Sequence, residues 1–511
     1  MADFTAAQYA IDGVLAGINR DQISGIPPAQ AASFSVRGGD KKATISWSLS
    51  KDVVMSGIVL CTTKGIMIRR SDQKMPDSIT DGELVVKRDG LTGSLEVTGL
   101  TNKKTYYFKA FPYSDHGVYD MTTPGVTVTP QEYNLLGFKI KKSEADPYAR
   151  VTYTEMAAGL KPATVNQNTG AYDLGDFGSY WFVTDNKPCM LKNDGTVDYY
   201  LNPHDYTKKE GGGNSDVANV NYAGNAMAQF PTVYIKSWED ATYEYVNICD
   251  KAIDSSYKAY AHTRNDGSIA PYVYMSLFEG YLASGKIRSL KGFAPMNSQT
   301  GTNELTYAKA NGAGWSTRSW SHRNLVNMLC TLIFKTTNLQ KAVGAGYHTG
   351  ASSAANLLKT GGASDKGQFY GKSENGNYVK AFHIENHWGN LWERIEGCVT
   401  NASSRILIKP APPYNTTGSG YTDTGITPTG TLGGYINTCK MADYGLIPKT
   451  ASGSDSTYLA DGLWWAANCY ALTGGSAYYG LLAGPFALYV GNSVSNASWN
   501  VGACLSCEQP A

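Results

Sequence analysis

The sequence carries little charge and lacks any long apolar run. Charged residues make up 17% of its 511 residues and the formal net charge is +1, whereas about a quarter is the usual charged fraction. Because binding to nucleic acid or to an anionic membrane requires a basic surface, neither partner is expected. No run of about 18 or more apolar residues occurs, and no basic segment precedes the apolar residues at the start, so neither a membrane-inserted helix nor a signal peptide is expected.

The sequence also lacks the arrangements in which cysteines usually build a site. Nine cysteines are scattered along the chain, an odd number that does not indicate a disulfide framework. Cys504 and Cys507 form a CxxC motif, but no second CxxC and no histidine lies near it in the sequence. Two ordinary cysteines of a terminal strand, on opposite faces, are favoured there over a zinc or redox site.

Catalytic motifs are missing as well. Neither a phosphate-binding glycine motif nor a Gly-x-Ser-x-Gly turn occurs. His383, Glu385 and His387 lie in the segment HIENH, which is not the HExxH of zinc enzymes, so a polar core is favoured over a metal site. The sequence therefore nominates no catalytic residue and predicts that the protein is not an enzyme. It predicts no cofactor and leaves open whether calcium is bound.

What the sequence does contain is an uncharged, aromatic C-terminal stretch. Between Leu459 and Ala511 the only charged residues are Asp461 and Glu508. The stretch is rich in Gly, Ala, Ser and Asn, and its tryptophans and tyrosines are Trp464, Trp465, Tyr470, Tyr478, Tyr479, Tyr489 and Trp499. Tyrosines among small polar residues are typical of recognition surfaces, because tyrosine offers rigid contact area at little entropic cost. A tyrosine-rich β-core with tight glycine turns explains the composition equally well.

Three segments of this stretch carry a family resemblance: Gly474-Gly475, Ala483–Phe486, and Ser498–Ala503 leading into Cys507. They resemble the variable region of proteins diversified by retroelements, which end in a C-type-lectin-type domain. In that family randomised adenines do not produce Met, Lys, Glu or Gln, and none of these occurs between Ala471 and Cys507. The resemblance implies the following ligand-binding variable positions: Ser476, Tyr478, Tyr479, Leu482, Tyr489, Gly491, Asn492, Ser498 and Asn500. It implies a fixed scaffold role for Trp499, whereas Ala477 and Cys504 replace the Trp and Arg usual in the family.

A second element, His387–Ile395, extends the resemblance upstream. It is similar to the GNxWEW element shared by the diversified lectin-like proteins and the formylglycine-generating enzymes, with Arg394 in place of the second Trp. The resemblance implies scaffold roles for Trp388, Gly389, Asn390 and Trp392. The oxidase alternative needs a reactive cysteine pair soon after Gly-Gly-Ser, yet no cysteine follows Gly474-Gly475-Ser476 before Cys504. A binding function is therefore favoured over an oxidase.

The remaining sequence predicts several domains. Residues 1–30 are expected to hold a short helix, Ala2–Ile18, for attachment or oligomerisation, with a disordered tail as the alternative. Residues 31–130 show short alternating strands, and Trp47 with the pair Leu100 and Tyr106 makes this segment resemble a fibronectin type III sandwich with its tyrosine corner. Residues 131–511 are expected to form one large α+β domain of C-type-lectin-like fold, with its variable region at 459–507.

Within the large domain, local patterns predict particular elements. Asn193-Asp194-Gly195 between apolar flanks predicts a β-hairpin. Residues 230–238 and 243–248 predict a strand pair. From Ser321 onward, apolar residues recur at helical spacing with Ser319 or Ser321 as the cap, which predicts a helix.

Together these patterns and resemblances imply a binding protein. The expected function is a hypervariable lectin-like surface on a bacteriophage tail fibre that binds a host-surface protein or glycan, in a homotrimer attached to other tail proteins of the virion. Several copies would raise avidity, since one patch binds weakly. The alternative is a bacterial surface-displayed ligand-binding protein, and a purely structural virion protein or an oxidase is less favoured.

Overall fold

The chain folds as two units, divided between Asn134 and Leu135, in a computed structural model that describes residues 25–55 and 58–508. The division lies close to the boundary expected after Pro130. The helix expected at Ala2–Ile18 lies outside the described residues. No helix in the described part of the chain is long and apolar enough to cross a membrane.

The first unit consists of two β-sheets. Its strands are β1 Ser33–Gly39, β2 Lys42–Ser48, β3 Asp52–Met55, β4 Ile58–Ser71, β5 Glu83–Asp89, β6 Thr92–Thr98, β7 Tyr106–Ser114 and β8 Val126–Val128. One sheet has the order β1-β2-β6, and in the other β3-β4-β7-β8 are consecutive while β5 also pairs with β4. Alternation within β2 buries Ala43, Ile45 and Trp47, which share a core with Ile66 and Phe108 of the other sheet.

Tyr106 is the first residue of β7. Its hydroxyl accepts a hydrogen bond from the Thr101 N–H at 3.0 Å, and Leu100 is buried beside it in the same core. This hydrogen bond ties the start of β7 to the turn that precedes it.

The second unit is rich in strands. Its longer strands are β9 Leu135–Lys141, β10 Val151–Glu155, β13 Lys187–Lys192, β14 Val197–Asn202, β15 Asp205–Lys209, β16 Gly224–Pro231, β17 Tyr234–Glu239, β18 Tyr243–Cys249, β19 Tyr272–Ser276, β25 Trp392–Thr400, β29 Gly434–Ala442, β30 Gly445–Ala451, β31 Gly462–Trp465, β32 Tyr470–Thr473, β33 Leu488–Asn492 and β35 Leu505–Glu508. Its shorter strands are β11 Thr164–Val165, β12 Tyr172–Asp173, β20 Tyr281–Ala283, β21 Lys286–Arg288, β22 Trp315–Thr317, β23 Lys380–Ala381, β24 Ile384–Glu385, β26 Ile406–Ile408, β27 Thr422–Asp423, β28 Thr429–Gly430 and β34 Val501–Gly502.

The helices of this unit are α1 Trp181–Thr184, α2 Gly301–Lys309, α3 Trp320–Phe334 and α4 Leu339–Ala342, with 3₁₀ turns at Gly175–Ser179, Tyr260–His262, Ala354–Asn356 and Gly480–Leu482. The predicted helix is confirmed as α3. Ser319 caps it by accepting from the His322 N–H, and the His322 ring accepts from the Ser319 N–H in return. Because apolar side chains cover most of its circumference, α3 lies in the core of the unit.

Three larger sheets surround this core. Their orders are β10-β9-β18-β17, then β15-β14-β13-β16-β19-β35-β22, and β27-β26-β25-β32-β33-β31-β29-β30-β28 with β34 beside β25. The hairpin predicted at Asn193-Asp194-Gly195 is confirmed as β13 and β14. The strand pair predicted at residues 230–238 and 243–248 is confirmed as the antiparallel β17 and β18, but its first strand begins later than expected, because β16 ends at Pro231 and β17 begins at Tyr234 in a different sheet. Pro231 lacks the N–H that a continuing sheet ladder would need.

Candidate binding face

Strand register brings three aromatic residues of the last sheet together. Strands β31 and β33 run parallel, with Trp464 opposite Tyr489. Strand β25 begins at Trp392, whose register partner in the parallel strand β34 is Val501. The Trp392 side chain is buried, and its ring contacts those of Trp464 and Tyr489 at centroid distances of 5.6 Å in both cases.

Two further tyrosines extend this cluster to the surface. The ring of Tyr479 contacts Trp392 at 5.2 Å and Trp464 at 5.1 Å. The next ring, Tyr478, is 65% exposed and touches Tyr479 at 5.8 Å and Trp499 at 6.3 Å. We call the continuous row of Trp464, Tyr489, Tyr479, Tyr478 and Trp499 the aromatic face. These rings are at least partly exposed, and most of their contacts are edge-to-face, the geometry that aromatic quadrupoles favour.

The aromatic face is apolar and uncharged. Leu481, which is 41% exposed, and the half-buried Leu482 lie in the 3₁₀ turn that follows Tyr479. Burial raises the pKa of Tyr479 and of Tyr489, so both phenols are neutral at physiological pH. Asp461, the charged residue nearest to Trp464 in the sequence, is fully buried. Such a surface suits a partner that offers apolar or hydrogen-bonding groups.

Most of the variable positions expected from the sequence are accessible. Tyr478 is exposed, and these others are half-buried: Tyr479, Leu482, Tyr489, Gly491, Asn492 and Ser498. Ser476 and Asn500 differ from the expectation of an exposed side chain, since they are 0% and 7% exposed. They lie beneath the surface because the main chain at these positions is hydrogen-bonded to Asn390 and Trp392. We call these two residues, together with Trp388 and Gly389, the frame. The Ala477 N–H donates to the Asn390 carbonyl at 3.1 Å, and the Trp392 N–H donates to the Asn500 carbonyl at 2.9 Å.

The expected scaffold residues occupy the turn before β25. Trp388 is fully buried, and its indole N–H donates to the Gly344 carbonyl at 3.0 Å. Gly389 has φ of +78°, and a Cβ there would lie 2.8 Å from the Tyr347 carbonyl oxygen. Asn390 also has positive φ, and its side-chain amide donates to Glu279 at 2.6 Å. Trp499 is half-buried and contacts Tyr478, so it belongs to the surface as well as to the expected scaffold.

Buried polar side chains hold the backbone beneath the aromatic face. Arg323 and Asn327 of α3 donate to the Pro485 carbonyl at 3.1 and 2.8 Å. Asp461 accepts from the Phe486 N–H at 2.7 Å. Gln340 donates to the Leu481 carbonyl at 3.0 Å. Each of these hydrogen bonds ends on a main-chain atom of residues 481–486.

A buried ion pair holds the last loop in the same way. Arg394 Nε lies 2.7 Å from Glu304 Oε2, and the two side chains are 3% and 1% exposed. The same guanidinium donates to the main-chain carbonyls of Val494 and Asn496 at 3.2 and 2.8 Å. Residues 493–498 are therefore anchored through their backbone.

The arginine of α3 is itself held by a charged neighbour. Arg323 forms an ion pair with Glu393 at 3.2 Å, and Arg318 lies 3.3 Å from the other oxygen of that carboxylate. Burial lowers the pKa of Arg323 to about 10, and Glu393 opposes this decrease. The guanidinium therefore remains protonated at neutral pH and keeps its hydrogen bond to the Pro485 carbonyl.

Each residue considered for metal binding is hydrogen-bonded to other groups of the protein. His383 bonds Tyr206, Glu385 accepts from the N–H groups of Gly361 and Ala363, and His387 bonds Arg323 and Asn327. Within residues 25–55 and 58–508, no cluster of three or more His, Cys, Asp or Glu residues is placed to hold a metal ion. Cys504 and Cys507 are buried and free, and burial raises the pKa of Cys504 to about 12. A thiol with such a pKa is protonated at neutral pH and unreactive.

Sequence reasoning missed several residues that build the face. Trp464 belongs to the aromatic C-terminal stretch but not to the expected binding positions, although a Trp-Trp pair in an uncharged stretch indicates a binding surface. Arg323, Glu304 and Asp461 were not considered as supports. Arg323 stands beside the polar residues Ser321, His322 and Asn324 at the start of the helix, so nothing in its sequence context distinguishes it from a solvent-facing residue.

Known proteins share only weak similarity with this chain. No family model matches the sequence, and no curated protein matches it. Among solved structures, the alignment with the Major Tropism Determinant M1 variant covers 63% of this chain and 71% of the variant's chain, at 13% sequence identity and a TM-score of 0.25. The U1 variant aligns with 63% and 72% at 12% identity and a TM-score of 0.25. PvdO from Pseudomonas aeruginosa aligns with 56% and 95% at 11% identity and a TM-score of 0.24. Likenesses of this size carry no argument about function.

Proposed function

We propose that this chain is a receptor-binding protein whose aromatic face contacts a protein or glycan on a host cell. The support comes from the hydrogen bonds that fix the main chain of residues 485–496 beneath that face. Arg323, Asn327 and Arg394 bond its carbonyl oxygens rather than its side chains. Exchanging an exposed side chain therefore removes none of these hydrogen bonds, so the binding specificity can change while the fold persists.

Tyr478 is the proposed main anchor. It is the most exposed aromatic side chain of the face, and the neighbouring rings of Tyr479 and Trp499 restrict its motion. A large side chain that is already ordered loses little entropy when a partner covers it, which makes it a good binding hot spot.

The biological setting is proposed from the sequence resemblance. Ala483–Phe486 and Ser498–Ala503 resemble the diversified lectin-like proteins, and on that basis we assign the second unit a C-type-lectin-like fold and place the protein on a bacteriophage tail, in a homotrimer. The first unit, with its Tyr106–Thr101 hydrogen bond, is proposed to be a fibronectin type III-like spacer. A bacterial surface-displayed binder is the alternative.

The absence of catalysis is part of the proposal. The buried, protonated thiol of Cys504 and the separate partners of His383 and His387 supply neither a nucleophile nor an open metal position.

Cell binding tests the proposal directly. Fluorescently labelled full-length protein is incubated with a panel of bacterial strains, and bound fluorescence is measured by flow cytometry. We expect Tyr478→Ala to weaken binding about tenfold or more. Tyr148→Ala is the matched control, because Tyr148 is 46% exposed in the same unit but outside the aromatic face. Equal binding by the Tyr478 variant and the unaltered protein would refute the assignment of the face.

The coding DNA offers an independent test of diversification. We expect a near copy of the codons for residues 474–507, differing only at adenines, beside a reverse transcriptase gene. If the neighbouring DNA holds no such copy, the retroelement part of the proposal is wrong, although receptor binding could still be measured.

A further inference from the structure

A cavity of about 340 Å³ lies apart from the aromatic face in the second unit. It shares no lining residue with that face. Its walls come from the 3₁₀ turn at Tyr260–His262, from the end of α2, from β22 and from the loop that contains Tyr414. The volume is within the range of small-molecule sites, which begins at about 300 Å³.

The floor of the cavity contains a buried carboxylate with a free oxygen. Glu396 lines the cavity and is only 5% exposed. Its Oε2 accepts a hydrogen bond from Ser316 Oγ at 2.5 Å, and Thr317 Oγ1 lies 3.5 Å from the same oxygen. Both hydrogen bonds from described residues to this carboxylate end on Oε2, and Oε1 is not among the fully buried oxygens that lack a partner, so Oε1 can accept a hydrogen bond from a ligand in the cavity.

Both hydrogen-bond donors and a further acceptor lie around this carboxylate. Lys309, at the end of α2, is close enough to lower the pKa of Glu396 against the larger opposing effect of burial. The exposed Asn265 supplies an amide, and Glu508 supplies a second acceptor. The rings of Tyr260 and Tyr414 form apolar walls.

This combination favours a neutral polyhydroxylated ring over a cation. Hydroxyl groups both donate and accept, so they can use the carboxylates of Glu396 and Glu508 together with the donors of Lys309 and Asn265. The C–H face of a sugar ring packs on aromatic side chains. A cationic ligand would meet Lys309, which already balances part of the carboxylate charge. We propose that this cavity is a second binding site, for one sugar ring of a glycan.

The test uses soluble monosaccharide probes with the full chain. The methyl glycosides of glucose, galactose, mannose and N-acetylglucosamine are added at up to about 20 mM, which covers millimolar dissociation constants. Binding is followed by saturation-transfer NMR, and n-butylammonium serves as the cationic probe. We expect at least one glycoside to bind and n-butylammonium not to bind.

Variants locate the bound probe. Glu396→Gln replaces a charge-assisted acceptor by a neutral one of the same shape, so the glycoside should bind about fivefold to tenfold more weakly. Lys309→Ala should also weaken binding, and it changes an exposed side chain, so the result does not depend on the folding of the Glu396 variant. Asn303→Ala, exposed on the same helix but outside the cavity, is the control and should bind normally.

Three results would overturn the inference. They are binding of no glycoside, binding of n-butylammonium in preference to the glycosides, and a glycoside affinity that neither Glu396→Gln nor Lys309→Ala changes. The Tyr478→Ala variant keeps the two proposals separate, since loss of glycoside binding in that variant alone would place the sugar on the aromatic face instead.

Discussion

The ring of Trp392 lies edge-on to the ring of Tyr479, with centroids 5.2 Å apart and planes inclined at 79°. Trp392 is 1% exposed, whereas Tyr479 is half-buried. The boundary between the frame and the aromatic face therefore passes between these two rings. Side chains below the boundary should govern stability, and side chains above it should govern binding.

Substitution on the two sides of this boundary should separate the two properties. We expect Trp392→Ala to lower the free energy of unfolding by about 3–5 kcal/mol, because it leaves a cavity under three other rings. Tyr478→Ala should change it by no more than about 0.5 kcal/mol, because Tyr478 is mostly exposed. Urea unfolding followed by far-UV circular dichroism measures both changes. Similar losses in the two variants would mean that the face is part of the core.

Gly389 and Gly480 form a matched pair for a test of the turn before β25. Both have positive φ, +78° and +61°, but an added Cβ would lie 2.8 Å from the Tyr347 carbonyl oxygen at Gly389 and would meet nothing within 4 Å at Gly480. We expect Gly480→Ala to cost about 1 kcal/mol from backbone strain alone. Gly389→Ala should cost more, because the same strain is joined by the contact with the carbonyl. Thermal unfolding of the two variants gives the comparison, and an equal decrease in melting temperature would contradict it.

The local elements could be predicted from sequence because their signals are local. Helix α3 follows from apolar spacing and a serine cap, and the hairpin at Asn193-Asp194-Gly195 follows from turn chemistry. The contact between Tyr106 and Thr101 spans only five residues along the chain.

The arrangement of the site could not be predicted in the same way, because it depends on pairing between distant strands. Trp464 meets Tyr489 only because β31 and β33 run parallel. Ser476 and Asn500 are buried because the Ala477 N–H and the Asn500 carbonyl are hydrogen-bonded to Asn390 and Trp392. No periodicity in residues 474–507 reports either fact, and the sequence resemblance marks positions without giving their depth.

The ion pair between Arg394 and Glu304 should control the order of residues 493–498. Removing one partner of a buried pair leaves an uncompensated charge and costs about 3–5 kcal/mol. We therefore expect Glu304→Gln and Arg394→Met each to be destabilising, and the double variant to lose less than the sum of the two. Hydrogen exchange at the amides of residues 493–498 should accelerate most in Arg394→Met, since that change also removes the donors to the Val494 and Asn496 carbonyls. Additive losses, or unchanged exchange in this loop, would exclude the anchoring role.

The carboxyl group of Glu279 should make stability depend on pH. Burial raises its pKa to about 8, against the opposing hydrogen bonds from Asn386 and Asn390. Because this pKa lies above the value of about 4.5 expected in the unfolded chain, the folded state binds more protons between these two values. The stabilising contribution of the group is complete below pH 4.5 and is lost as the pH rises through 8.

Glu279→Gln isolates this contribution, because glutamine has nearly the shape of the neutral acid and still accepts the amides of Asn386 and Asn390 through its own oxygen. We expect the melting temperature of the unaltered protein to fall more steeply between about pH 5 and pH 8 than that of the variant. All other titrating groups are common to both proteins, so the difference between the two curves reports Glu279 together with its electrostatic coupling to Glu385. Parallel curves over this range would show that Glu279 does not take up a proton on folding. In that case the two asparagines would hold an ionised carboxylate beneath the turn that carries Trp388 and Trp392.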